Sequence, residues 1–220
     1  MDGLLDHIEI EPDGEANACV ILLHGLGADG HDFGPVIDEI HLPGSLNVRF
    51  ILPHAPERAV TINDGAEMRA WYDFIPHSEY SGNDDIIESA TEVRKFIHRE
   101  IERGIPPSRI VLAGFSQGGV VALQTGLRFE ERIAGIIALS TYLHDVASVE
   151  KERTDANLAI PIMLAHGTHD GLVPIMRAAT ARENLTRLGY DVRWFDYAME
   201  HQVCLEEIEE IAQFLTEILG

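Results

Sequence analysis

The chain has 220 residues, 45% of them hydrophobic and 24% charged, which is enough apolar material for one packed core and argues against a disordered chain. Sixteen Lys and Arg face 37 Asp and Glu, a formal charge of −21, so nucleic acids and anionic membrane surfaces are excluded as expected partners by long-range repulsion. No apolar run approaches the roughly 18 residues of a membrane span, and the N-terminus lacks the basic flank and apolar stretch of a signal peptide; no integral membrane association and a cytoplasmic location are therefore expected.

Taken in chain order, residues 5–10 alternate and read as an edge strand. Ala18–Leu23 (ACVILL) is apolar on both faces, and 48–52, 109–113, 133–139 and 160–165 read the same way, as central strands of a parallel sheet covered on each side. Residues 190–197 alternate again and read as a last strand. Between them lie helical patterns. Residues 81–103 place Ile86, Ala90, Val93, Ile97 and Ile101 on one stripe, closed by Gly104 and Pro106-Pro107. Residues 117–129 and 174–188 form shorter helices. A final helix carries Cys204, Ile208, Ile211, Leu215 and Ile218 on one face. Strands alternating with helices over the whole length predict a single α/β domain, 1–220, with a doubly wound, mostly parallel sheet and helices on both faces. Ligands in such sheets bind at the carboxyl ends of the strands, so the loops there are where chemistry is sought.

The strand at 109–113 runs into Gly114-Phe115-Ser116-Gln117-Gly118-Gly119, a G-x-S-x-G with a strand before it and a helix after it. The turn is tight enough that Ser116 needs a strained backbone and its flanks must be small. A nucleophilic serine needs a base, and the base needs an orienting acid; in α/β-hydrolases the chain order is serine, acid, histidine. Asp170 follows the strand ending near 165, and His201 follows the last strand. His166 and His169 share the loop of the acid and are poorly placed as the base; Asp191 and Asp196 fit the order less well. The early loop HGLGADG at 24–30 supplies an oxyanion N–H at Leu26, and the residue after the nucleophile supplies the other, at Gln117. Only main-chain groups are required there, so the identity of the side chains at 26 and 117 is expected to be weakly constrained.

Gly25, Gly27 and Gly30 also spell the G-x-G-x-x-G of dinucleotide sites. That fingerprint expects an acidic residue near the end of the next strand, about 20 positions on. Residues 53–55 there are Pro, His and Ala, so the nucleotide reading fails. Two cysteines far apart in sequence, and eleven histidines without ligand spacing, give no metal site; Cys19 reads as a buried thiol. The aromatic-rich segment 55–80, carrying Met68, Trp71, Tyr72, Phe74 and Ile75, reads as a flap over a hydrophobic acyl pocket.

With HGLGADG (24–30), LPHAP (52–56), RAWYD (69–73), AGFSQGG (113–119), HGTHDGLVP (166–174) and MEH (199–201) in order, the whole chain resembles the small serine α/β-hydrolases that include bacterial carboxylesterases, lysophospholipases and acyl-protein thioesterases. The resemblance implies Ser116, Asp170 and His201 as the catalytic triad, Leu26 and Gln117 as oxyanion donors, and no cofactor. It further implies substrate contacts at Trp71, Leu172 and Tyr142, a small acyl ester or lipid-like substrate of short to medium chain, and a homodimer. Ala198 stands where the family has proline and Gln202 where serine is common, which puts the loop of His201 in question. The expected function is a serine carboxylesterase; the alternatives are an acyl-protein thioesterase or lysophospholipase on the same site, or a ligand receptor on a hydrolase fold, which the intact triad argues against.

Overall fold

The structure, a computed structural model, describes residues 3–75 and 82–220. Its main sheet has seven strands in the order β1-β3-β2-β6-β7-β8-β9. These are β1 His7–Ile10, β2 Ala18–Leu23, β3 Val48–Pro53, β6 Ile110–Phe115, β7 Gly135–Leu139, β8 Pro161–Gly167 and β9 Asp191–Tyr197. All neighbours pair parallel except β1, which runs antiparallel to β3 at the edge, His7 opposite Pro53. The apolar runs of β2, β3, β6 and β7 are buried almost throughout, as strands covered on both faces must be.

Helices α2 (Asn83–Glu102), α3 (Gln117–Gly126) and α5 (Ile175–Arg187) cover one face; α1 (Gly34–Asp38) and α6 (Leu205–Leu219) cover the other. The stripe expected on α2 is buried at Ile86, Ala90, Val93 and Ile97, with Phe96 added, and the helix stops where Gly104 turns left-handed at φ 98°. On the opposite face Ile211, Phe214 and Leu215 of α6 pack on Val20, Ala113 and Met163. The helix expected at 117–129 ends at Gly126, and the one expected from Pro174 has that residue as its N-cap.

Two elements lie outside the sequence reading. Helix α4 (Val146–Glu152) is short, with Val149 its one buried residue. Strands β4 (Glu57–Val60) and β5 (Ala66–Arg69) form an antiparallel ribbon in the segment expected to be a flap. Residues 76–80 of that segment lie outside the described residues.

Candidate active site

Three strand ends and the β2 loop converge at the carboxyl edge of the sheet. Between β6 and α3, Ser116 sits at φ 55°, ψ −118°, a conformation that L-residues rarely adopt. The turn closes only because its flanks are glycine. A Cβ on Gly114 would lie 2.3 Å from Gly118 C, and one on Gly118 would lie 2.1 Å from Leu23 O. The backbone is held by Ser116 N–H donating to Leu139 O, and by the Thr141 hydroxyl donating to Ser116 O at 2.7 Å. Gln117 is the first residue of α3, so its N–H has no intrahelical acceptor.

The 24–30 loop is braced from three sides. His24 is fully buried; its Nδ1 donates to Gly25 O at 2.7 Å and its Nε2 accepts from Ala55 N–H at 3.0 Å. Burial pushes its pKa down, in keeping with a neutral ring that uses both nitrogens. Gly27 N–H donates to Arg69 O at 2.9 Å, and the Arg69 guanidinium donates to Ala55 O at 2.9 Å. Asp29 caps the following 3-10 turn, and Gly30 N–H donates to His54 Nδ1. The LPHAP and RAWYD runs thus act as supports for this loop. Leu26 N–H makes no backbone hydrogen bond among the described residues. Gly25 lets the loop approach the elbow: a Cβ there would be 3.5 Å from Ser116 Cβ.

Asp170, after β8, is 8% exposed. Its Oδ1 accepts from Leu172 N–H at 2.9 Å and Val173 N–H at 2.8 Å, and its Oδ2 accepts from His201 Nδ1 at 2.7 Å. Burial works to raise its pKa, but the hydrogen bonds from His201, Val173 and Leu172 outweigh it and hold the carboxyl below its usual value. His201 packs its ring on Phe115, centroids 4.7 Å apart. Ser116 Oγ makes no hydrogen bond among the described residues. His166 is buried, donates Nε2–H to Val173 O at 2.8 Å and sits 3.3 Å from Asp170 Oδ2. His169, Asp191 and Asp196 are exposed.

Ser116 and His201 open into a cavity of about 580 Å³. Gly25, Leu26 and Gln117 lie beside them, and the walls are mainly apolar: Phe33, Val36, Ile62, Phe74, Val173 and Val203. Leu172, Tyr142 and Gln202 also line it. Trp71 does not, and here the sequence expectation is corrected. Its side chain is fully buried behind the wall, where Nε1–H donates to His24 O at 2.9 Å. Its neighbour Tyr72 takes the cavity position, its hydroxyl 2.9 Å from that of Tyr142.

The Gln117 side chain is engaged as well. Its Oε1 accepts from Trp71 N–H at 3.1 Å and its Nε2 donates to Tyr72 O at 2.8 Å. With Ser89 Oγ on Trp71 O and the Asp85 carboxylate on Asp73 N–H, these bonds tie 71–73 to α2 and to the turn at Ser116. A hydroxyl on a strained turn, an imidazole anchored on a carboxylate, two main-chain N–H groups and an apolar cavity are the parts that acyl transfer requires.

Comparison with known proteins agrees with this chemistry. The profile of the Phospholipase/Carboxylesterase family matches residues 6–219. The chain is 38% identical over 213 residues to acyl-protein thioesterase 1 of Neurospora crassa, covering 92% of this chain and 87% of that protein. It is 34% identical to acyl-protein thioesterase 1 of Cryptococcus neoformans over 98% of both. Among solved structures, esterase PE8 superimposes with a TM-score of 0.85 at 28% identity, over 99% of this chain and 100% of that one.

Proposed function

The chain belongs to the phospholipase/carboxylesterase family of α/β-hydrolases, and we propose that within it the protein is a serine carboxylesterase acting on short- to medium-chain acyl esters. The observation that carries the reading is the 2.7 Å bond between His201 Nδ1 and Asp170 Oδ2 at the mouth of a cavity that also holds the strained Ser116.

With Nδ1–H committed to Asp170, His201 Nε2 is left as the base. It takes the Ser116 proton as Oγ attacks the acyl carbonyl; the contact closes when substrate enters, as catalytic hydrogen bonds commonly do. The tetrahedral oxyanion forms against the N–H groups of Leu26 and Gln117, each worth about 3 kcal/mol in such sites. His201 then protonates the leaving alkoxide, and in a second half-reaction activates water to release the acid from Ser116. Asp170 keeps the imidazole in the required tautomer and stabilises its charged form. No step calls for a cofactor.

The apolar walls and a cavity of about 580 Å³ suit an acyl chain rather than a polymer. Thioester hydrolysis on the same residues is the second reading, supported by the thioesterase names of the fungal relatives. A homodimer and a cytoplasmic location belong to the proposal too; light scattering at micromolar concentration and cell fractionation test them. The central test is fluorophosphonate labelling of the wild type and Ser116→Ala, followed by p-nitrophenyl ester hydrolysis from acetyl to dodecanoyl. Labelling that vanishes in the variant, with an optimum at short to medium chains, is expected. No labelling of a folded wild type would overturn the reading in favour of a ligand receptor.

A further inference from the structure

Arg177, in the first turn of α5, is one of the cavity-lining residues and, among the described residues, the only basic side chain there apart from His201. Its guanidinium carbon lies 3.4 Å over the ring centre of Tyr142, whose hydroxyl is tied to that of Tyr72. The arginine is thus seated on an aromatic platform that is itself fixed. Arg49, Arg58, Arg99, Arg103 and Arg128 pair with Asp or Glu, whereas Arg69, Arg109 and Arg153 bond to main-chain carbonyls and Arg182 lies over Trp194; none of these lines the cavity. Arg177 has neither a carboxylate partner nor a side-chain hydrogen bond among the described residues. Arg177 is thus an exposed guanidinium on the wall of the cavity that holds Ser116, oriented by its aromatic platform and available to an anion that enters there.

We infer that Arg177 is a specificity determinant: it recognises a single carboxylate carried by the ester substrate, at a distance from the scissile bond. This rests on the esterase reading above. The charge balance sets the number of negative groups. One guanidinium receives one carboxylate, in a two-point contact, while Asp32 on the cavity wall and the acidic surface beyond repel polyanions such as nucleotide-bearing thioesters.

The test compares four substrates, two anionic esters each with a neutral partner, on wild type, Arg177→Gln and Arg177→Lys. 4-Nitrophenyl hexanoate is neutral; mono-4-nitrophenyl adipate carries a carboxylate at the end of the acyl arm; 3-hexanoyloxybenzoate carries one on the leaving group, with phenyl hexanoate as its neutral partner. The ratio of kcat/KM for each anionic ester to its neutral partner is read for each protein, so general effects of the substitution on the cavity divide out. Arg177→Gln is expected to lower the ratio about tenfold for one of the two anionic esters, through KM, with Arg177→Lys restoring part of it. Which ester responds tells which arm faces Arg177. Ratios unchanged for both esters in Arg177→Gln would overturn the inference. If neither neutral ester is hydrolysed by wild type and fluorophosphonate fails to label it, the esterase reading itself falls and the inference with it.

Discussion

Gln117 is hydrogen-bonded by its side chain to Trp71 N–H at 3.1 Å, 46 positions earlier in the chain, while its own N–H opens α3 beside Ser116. One residue therefore joins the nucleophile elbow to the cavity wall. Trp71 passes the constraint on through its indole N–H to His24 O, at the root of the 24–30 loop.

Gln117→Leu leaves Trp71 N–H and Tyr72 O without their partners in a buried setting. Two such losses are expected to cost about 2–4 kcal/mol of stability. Activity should fall further than stability explains, because the wall and the N–H at 117 are located by the same residue. Urea denaturation and kcat/KM on a neutral ester check this; a variant of wild-type stability would mean the side chain does not brace the wall.

Ser116→Ala should abolish nearly all turnover, by about 10³-fold or more. Ser116→Gly makes a separate prediction. At φ 55°, ψ −118° a side chain is strained, whereas glycine is not. The inactive Gly variant should be more stable than the inactive Ala variant, by about 1 kcal/mol, against the usual rule that glycine destabilises. Thermal melts of the two proteins decide it.

The sheet was legible because β2, β3, β6 and β7 are buried on both faces and so carry mainly apolar runs, interrupted by a charge only at Arg49 in β3. The candidate site was legible because Ser116, Asp170 and His201 each follow a strand, in the order that acyl-transfer sites of this fold require. The β4–β5 ribbon was not: Glu57, Ala59, Ala66 and Glu67 are exposed, so the ribbon leaves no burial period in the sequence, and only the Asp64-Gly65 pair, with Asp64 at φ 54°, marks its turn. Trp71 was misplaced because two adjacent aromatics, 71 and 72, point to opposite sides, and which one faces the cavity depends on the carbonyl of His24, far away in sequence. The role of the Gln117 side chain depends on a tertiary contact of the same kind.

Glu100 is fully buried on α2 and holds three arginines: Arg49 at 2.6 Å, Arg99 at 3.0 Å and Arg103 at 3.1 Å. These arginines also reach Glu9 in β1 and Glu11 just after it, pinning the antiparallel edge strand to the helix layer. Removing Glu100 as alanine leaves Arg49 half-paired in a buried site and is expected to cost about 3–5 kcal/mol. The same cluster sets an acid limit. Burial works to raise the Glu9 pKa, but Arg103 and Arg99 outweigh it and hold it at about 2. A carboxylate with a depressed folded pKa stabilises above its unfolded value near 4.5 and loses that contribution as pH falls towards 2. Glu9→Gln should therefore flatten the stability loss across that window, as read by denaturation at pH 5 and pH 2.5.

Glu207 has the opposite sign. It lies in the first turn of α6, where a carboxylate normally complements the helix dipole. Here it is fully buried, and neither oxygen has a hydrogen-bond partner among the described residues. Burial pushes its pKa up to about 8; the backbone of Cys204 at the helix N-cap, which makes no hydrogen bond to it, offsets this only in part. Below about 4.5 the group is protonated folded and unfolded alike; between 4.5 and 8 the unfolded chain ionises it and the folded chain does not, so stability falls with rising pH until the folded group ionises as well. Glu207→Gln removes this titration. The difference in stability between variant and wild type should therefore grow in favour of the variant from pH 5 to pH 9, by a few kcal/mol at most. Because α6 follows directly on the loop of His201, wild-type activity at high pH should also decline through melting of this helix start, and the Gln variant should retain it. A difference in stability that stays constant from pH 5 to pH 9 would show that Glu207 ionises in the folded protein as it does in the unfolded chain.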